Sequence, residues 1–521
     1  MAEPITASDK VGQAEIFRFV ADPATHAGAD VVQIDTHGAA VFLAGNRALK
    51  IKRAVRFPFL DYSTLAKRKT ACDQELAVNR RFAPQIYRRV MPITRAADGT
   101  LQIDGPGEPV EWAVEMTRFD EGRTIDHLAA GGPLDLDLVA AIADAIAASH
   151  RAAPRAATAP WIASIIPINA DNIPSFGAGG FPADQVADLD RATRAAFDHS
   201  RGLLEQRGAD GFVRWCHGDL HLANIVLIDG TPVLFDAIEF DPAFASVDVM
   251  YDLAFPLMDF LRYGRSEEAA ELLNRYLAVS DDAHADALGA LPLLLSMRAA
   301  IRAKVMLSRP AGDADARRHH RQTADLYFAL AARLIAPPSP RLIAVGGLSG
   351  TGKSVLARAL AGHIAPLPGA VVLRSDVVRK RHFGVAETER LPAAAYAPEV
   401  TMQVYRSLGE RASRILAQGH SVIVDAVFAK ADERQAIESI ATQAKCQFAG
   451  LFLVADLATR INRVSSRIGD ASDATPEIVR QQQAYEQSAV GWTEVDAAGT
   501  PDQTLARAVS ALQGRDQACS T

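Results

Sequence analysis

Two short stretches of the chain bring together residue types that handle phosphate, each at a spacing phosphoryl transfer can use. In HGDLHLANIVLIDGTPVLFD, Asp219 follows His217 and Gly218, Asn224 comes five residues later, and Asp236 lies beyond a hairpin-like IDGTPVLF. That order suits a carboxylate accepting the proton of a hydroxyl, an amide oxygen for one metal ion, and a second carboxylate for the metal bridging the phosphates. In GLSGTGKSV, residues Gly347, Leu348, Ser349, Gly350, Thr351, Gly352, Lys353, Ser354 and Val355 fit G-x-x-x-x-G-K-S between an apolar run and a helical one. Its glycines let backbone N–H groups curl around a phosphate, Lys353 reaches the outer phosphates, and Ser354 can ligate Mg²⁺. Both sets therefore point to ATP with Mg²⁺.

Further chemistry follows the second stretch. Asp425 ends the apolar run HSVIVD, where a carboxylate can support the metal. In VVLRSDVVRKRHFG, Asp376 and Arg379 stand one helical turn apart, as proton acceptor and holder of the acceptor or transferred group. An N-cap Asp followed by an exposed Arg gives the same letters. RINRVSSRIG sets Arg460, Arg463 and Arg467 on one helical face, either as a lid over triphosphate or as a solvated arginine row. Arg298 and Arg302 are four residues apart and could anchor an anionic acceptor, although pairing with local carboxylates explains them more simply.

These residues need scaffolds. AAVFLAGNRALKIK and EWAVEMTRF alternate like strands and precede long Ala/Leu helices such as DLDLVAAIADAIAASHRAA, so a small sheet followed by a mostly helical lobe is expected. After the prolines of LIAPPSPRL, the runs RLIAVGG, AVVLRSD, HSVIVDAVF and CQFAGLFLVAD alternate with helical stretches, the signature of a parallel sheet wrapped by helices. The expected domains are 1–335 and 341–521, an α+β part and an α/β part.

At 521 residues the chain exceeds one ordinary core, and 49% hydrophobic with 22% charged residues is a globular balance. A net charge of −7 with no long Lys/Arg block gives no electrostatic case for nucleic acid. Cys72, Cys216, Cys446 and Cys519 show no zinc spacing, so reduced thiols are expected. The first residues lack a secretory pattern, and ALGALPLLLSM is shorter than the ~20 residues of a membrane span. No membrane partner and a cytoplasmic location are the expectation.

From Arg341 onward the chain resembles the P-loop small-molecule kinases, a group including gluconate kinases, zeta-toxin-like kinases and the kinase half of polynucleotide kinases. Asp376 with Arg379 is similar to that group's acceptor-activating pair, and Arg463 with Arg467 to its lid. The earlier part resembles the aminoglycoside phosphotransferase-like branch of the protein-kinase fold, which implies a bilobal domain. That resemblance implies Asp219 as catalytic base, Asn224 and Asp236 as metal ligands, and Glu239, Asp248 and Asp252 as supporting carboxylates; Asp252 could equally be a helix residue with no role. RALKIK is similar to the kinase Ala-x-Lys, with Lys50 in the nucleotide pocket and Glu75 its partner, though Lys52 shares the same strand face. WAVEMTRF, around Glu115 to Arg118 and with Glu115 and Met116 in the nucleotide pocket, would be the hinge whose backbone meets adenine. No G-x-G-x-x-G precedes Lys50, only DTHGAAVFLAGN with Gly38 and Gly45. The whole layout resembles the bacterial family called bifunctional aminoglycoside phosphotransferase/ATP-binding proteins.

The implied activity is a bifunctional ATP-dependent phosphotransferase, each domain acting on a hydroxyl of a small sugar-like or nucleoside-like molecule. Two rivals remain: a single catalytic domain governed by a P-loop ATP switch, and a zeta-toxin-like or polynucleotide-kinase-like activity in the second domain. RSDVVRKRHF supplies positive charge for the latter, but interleaved aromatics are missing.

Overall fold

The computed structural model describes residues 7–57, 60–309, 313–466, 470–484 and 491–519. They form two compact units, Met1–Gly132 with Ala145–Trp161 and Gly208–Phe255, and Pro133–Asp144 with Ile162–Arg207 and Pro256–Thr521. The proline-rich seam does separate the helix Ala314–Ile335 from the strand Arg341–Gly347. Packing nevertheless groups the helices before the seam with the sheet after it.

The first unit is built on a six-stranded antiparallel sheet. Its order is Val31–Asp35, Ala39–Ala44, Arg47–Lys52, Glu108–Thr117, Tyr87–Arg95, Leu101–Ile103. Both faces are covered, which is why AAVFLA and RALKIK are largely buried rather than strictly alternating. On one face Ile16 and Val20 of the helix Ala7–Ala21 pack with Phe42, Leu49, Ile51 and Ile93. On the other, Ala48, Val114 and Met116 meet Cys72 of the helix Leu65–Asn79 and Val226 and Val233 of a hairpin, Ile225–Ile228 with Thr231–Leu234. The sheet thus hangs Lys50 above the hairpin that is flanked by Asn224 and Asp236.

In the second unit five strands run parallel in the order Val371–Arg374, Val422–Asp425, Arg341–Gly347, Gln447–Val454, Thr493–Asp496. Ile343, Val345, Ile423, Leu451 and Leu453 bury against Leu356 and Leu360 of the helix Lys353–Ala361 and Leu512 of the helix Pro501–Cys519. The outermost strand, Val371–Arg374, is sealed from the side by the helix Ser266–Val279. Asn274 Nδ2 donates to Ala370 O at 2.9 Å, and Val372 N–H donates to Asn274 Oδ1 at 2.7 Å, so one side chain pairs the edge as another strand would. Close approach permits it: a Cβ on Gly362 would stand 2.7 Å from the backbone of Glu267. The sequence carries no cue for this docking.

Candidate active sites

Lys50 and Lys52 share a strand face, and the structure brings both onto one carboxylate. Glu75, fully buried in the helix Leu65–Asn79, meets Lys50 Nζ at 2.8 Å and Lys52 Nζ at 2.7 Å. Lys50 also reaches Asp236 at 2.6 Å, whereas Lys52 turns to Glu239. Of the two lysines, Lys50 is therefore the one that reaches Asp236. Burial alone would raise the Glu75 carboxyl, but the two ammonium groups outweigh it and hold it at about 2. Burial likewise opposes the charge on Lys50, yet Asp236 and Glu75 push its affinity for the proton well above the ordinary range.

The loop carrying Asp219 is fixed from behind. Asp252, completely buried, accepts the backbone N–H of His217 at 3.2 Å and of Gly218 at 2.9 Å, and His150 Nε2 lies 3.2 Å from the same carboxylate. Asp252 is thus both a residue of the helix Val249–Arg262 and a buried acceptor for this loop. Gly218 adopts φ +84°, and a Cβ there would press to 3.1 Å on Ala245. Asp219 itself stays 41% exposed at its side chain, with His221 Nε2 3.4 Å away. Asn224 Nδ2 donates to the Asp219 carbonyl at 2.9 Å and lies 3.4 Å from Oδ2, so its amide oxygen takes no part in either contact. Asp236 sits at φ +60° after the hairpin, its N–H on the Tyr87 hydroxyl at 3.2 Å. Asp248 is buried and caps Met250 N–H at 2.8 Å, a local structural contact.

Glu115 needs a correction. Its carboxylate is held by Arg47 and Arg89, each at 2.8 Å, and its backbone pairs with Leu49 and Arg89 inside the sheet. A residue between two strands cannot offer that backbone to a base. Met116 is likewise paired with Ala48, and its side chain packs in the apolar cluster with Val226 and Val233. The chain leaves the strand after Thr117, where Phe119 stacks edge-on to Phe235 at 4.9 Å.

In the second unit the strand Arg341–Gly347 turns through Leu348–Gly352 into the helix Lys353–Ala361. Gly350 is the tightest point of that turn, with φ +85° and Arg460 O only 2.5 Å from any added Cβ. Thr351 Oγ1 and Lys353 Nζ both donate to Leu348 O, at 2.8 and 3.2 Å, which closes the loop on itself. Ser354 Oγ donates to Asp425 Oδ2 at 2.5 Å, bringing both expected metal-side oxygens together. Val355 is exposed in the first turn of the helix, so its side chain takes no part in the loop's packing.

Gln482, which holds this loop, escaped sequence reading, and Arg460 holds it in a way the sequence did not suggest. Ser349 donates its N–H to Gln482 Oε1 at 2.7 Å and accepts from Gln482 Nε2 on Oγ at 3.0 Å. Its carbonyl accepts from Arg460 Nε at 2.9 Å. Arg460 is 1% exposed, so it is neither lid nor solvated row but a buried strut. Arg463 stands beside the loop, with Nη1 3.3 Å from Thr351 O, while Arg467 lies outside the described residues.

Asp376 opens the helix Ser375–His382. Burial and the neighbouring Asp425 raise its carboxyl, against Lys353, Arg374 and a hydrogen bond from Ser472. A carboxylate so placed binds a transferred proton better than a solvated one. Arg379, 5% exposed, donates Nη1 to Ala395 O at 2.7 Å and lies 4.7 Å over the Tyr396 ring. Arg302 lies 5.9 Å over the Tyr327 ring, whose hydroxyl donates to Asp259 at 2.9 Å, and Arg298 is buried. No helix of the described residues is long and apolar enough to cross a membrane.

Known proteins resemble the chain in both its parts. A family model described as "Phosphotransferase enzyme family" matches residues 45–289, and one described as "AAA domain" matches residues 342–488. Over 497 residues the chain is 30% identical to the uncharacterized protein Rv2004c of Mycobacterium tuberculosis (strain ATCC 25618 / H37Rv), covering 91% of this chain and 94% of that protein. The uncharacterized protein Mb2027c of Mycobacterium bovis matches at 30% over the same span. Among solved structures, a gluconokinase from Sinorhizobium meliloti 1021 is similar at 22% identity, covering 35% of this chain and 96% of that one, with a TM-score of 0.26. A choline/ethanolamine kinase family protein from Mesorhizobium loti is similar at 14% identity, covering 62% and 99%, with a TM-score of 0.36.

Proposed function

The chain belongs to the family, shared with these mycobacterial proteins, that joins an aminoglycoside phosphotransferase-like kinase domain to a P-loop kinase-like domain, and we propose that both domains of this phosphotransferase are catalytic. Each transfers the γ-phosphate of ATP to a hydroxyl of a small sugar-like or nucleoside-like molecule. The proposed domains are 1–335 and 341–521. One observation carries the reading: each phosphate-holding set has its own aspartate at hand, Asp219 beside Asn224 and Asp376 in the field of Lys353 and Asp425.

In the first domain Lys50, steadied by Glu75, holds the phosphates, and Asp219 takes the proton of the acceptor hydroxyl. In the second, the backbone N–H groups from Gly350 to Val355 and the Lys353 ammonium hold the phosphates, Asp376 takes the proton, and Arg379 positions the acceptor. Arg463 adds positive charge beside the loop. The oxygen donors present suit Mg²⁺: Asn224 and Asp236 in one domain, Ser354 and Asp425 in the other, where the ion would neutralise phosphate charge.

The test is a metabolite-extract screen with γ-labelled ATP on wild type, Asp219→Asn and Asp376→Asn. Each variant is expected to lose a different labelled product by roughly 10²–10⁴-fold. A single product lost in both, or a P-loop variant such as Lys353→Ala that alters only the first domain's product, would favour the switch instead.

A further inference from the structure

A cavity of about 350 Å³ lies within the second unit, walled by the helix Ser266–Val279, the helix Lys353–Ala361, the edge strand Val371–Arg374 and the helix Pro398–Ala417. Six arginines line it, and most are answered by carboxylates. Arg358 holds Glu271 at 2.8 Å and Asp137 at 3.2 Å, Arg275 holds Asp144 at 2.7 Å, and Arg374 holds Asp470 at 2.8 Å. Arg414 takes Asp286 at 2.6 Å and part of Asp282 at 3.0 Å.

Two are left short. Arg411 must share Asp282 with Arg414. Arg381 has no carboxylate within salt-bridge range among the described residues, its side chain donating only to Ala278 O at 2.6 Å. The other lining carboxylates do not remedy this: Asp281 caps Ala283 N–H at 2.9 Å, and Glu387 acts on Arg275. Burial lowers the proton affinity of Arg411, and repulsion from Arg381 and Arg414 lowers it further against the pull of Asp282. Beside these guanidinium groups the wall is apolar, with Val378 and Ile415.

We propose that this cavity binds a small phosphomonoester, its phosphate on Arg381 and Arg411 and its uncharged body against the apolar wall. A dianionic phosphate with three acceptor oxygens is what two under-neutralised guanidinium forks lack. The volume sits at the lower end of ligand pockets and leaves room for a body beyond free phosphate. Ser354 and Arg374 also line the cavity, and their side chains lie 2.5 and 3.6 Å from Asp425, so its wall adjoins that carboxylate without including it. This binding site stands whichever hydroxyl receives the phosphoryl group.

The test is equilibrium calorimetry on the full chain, with a non-hydrolysable ATP analogue and Mg²⁺ saturating both nucleotide sites. Ribose 5-phosphate and glucose 6-phosphate are the probes, against ribose, glucose and inorganic phosphate. At least one phosphomonoester should bind saturably, roughly tenfold or more tighter than its free sugar and than phosphate. Arg381→Gln, which keeps a donor for Ala278 O, should weaken it roughly tenfold with Tm unchanged, and Ala140→Phe, which fills the cavity, should abolish it. Absence of binding in wild type, equal binding of inorganic phosphate, or affinity that survives Arg381→Gln overturns the proposal; should Ala140→Phe fail to fold, Arg381→Gln decides alone. Because the readout is binding, its failure is distinct from a failure of phosphoryl transfer.

Discussion

Arg460 Nε donates to the carbonyl of Ser349 at 2.9 Å while Gln482 takes both the N–H and the hydroxyl of the same serine, so every polar group of Ser349 is fixed by residues from beyond the fourth strand. The phosphate loop is therefore shaped before nucleotide arrives, which lowers the ordering cost of binding.

Gln482→Ala should raise the KM for ATP at the second site on the order of tenfold, the loss of one or two buried hydrogen bonds, with the first site unaffected. Arg460→Ala should do at least as much and lower Tm, because it also leaves a cavity. Steady-state kinetics of each labelled product against ATP concentration measures both; an unchanged KM in Gln482→Ala would separate Ser349 from nucleotide binding.

Glu75 neutralises two buried ammonium groups, so Glu75→Gln should cost the first unit several kcal/mol, about 3–5 for a broken buried pair. Lys52→Met should be milder, since Lys50 keeps both Glu75 and Asp236. Thermal unfolding followed by circular dichroism ranks the two, and the opposite order would mean that Lys52 is the chief partner of Glu75.

His420 is 2% exposed and its Nε2 lies 2.7 Å from Gly369 O; burial lowers it to about 4. Its folded value lies below the unfolded value, so between about 6.5 and about 4 the unfolded chain binds a proton the folded chain refuses. Stability is thus lost as pH falls through that window, by up to about 1.4 kcal/mol per unit, and levels off below it. His420→Gln should flatten this slope when Tm is measured from about pH 7 to about pH 4.

The carboxylate of Asp252 gathers two loop N–H groups and His150, so Asp252→Asn replaces an acceptor-only group by one that must turn a donor toward those protons. The first product's kcat should fall roughly tenfold or more while KM for ATP changes little, since Lys50, Asn224 and Asp236 are untouched. Equal loss in kcat and Tm-limited activity, restored on cooling, would reduce Asp252 to a purely structural role.

How much of this was legible depends on how far apart the partners lie. GLSGTGKS and the HGD loop could be read because their groups act within a few residues, and a parallel sheet wrapped by helices followed from apolar runs separated by helical ones. Glu75 was found because its helix carries an acid at the right place, although the second lysine on it was ambiguous until Glu239 claimed Lys52. Arg460 and Gln482 could not be read: their contacts span 111 and 133 residues, and a buried arginine has the same letters and spacing as a surface one. Glu115 misled because a strand continuing to Thr117 looks the same in sequence as one that ends two residues sooner. The fifth strand, Thr493–Asp496, is too short and polar to announce itself.

The helix Ser266–Val279 belongs by descent to the stretch matched as phosphotransferase, yet Asn274 finishes the flank of the P-loop sheet. A fragment starting at residue 341 would leave Ala370 O and Val372 N–H without that partner and would bare the smooth surface at Gly362 and Gly369. Such a bare flank invites strand exchange with a neighbouring molecule, so recombinant truncation at the prolines should yield clumping rather than a soluble half. What looks like two genes spliced end to end has become, at this border, a single inheritable piece.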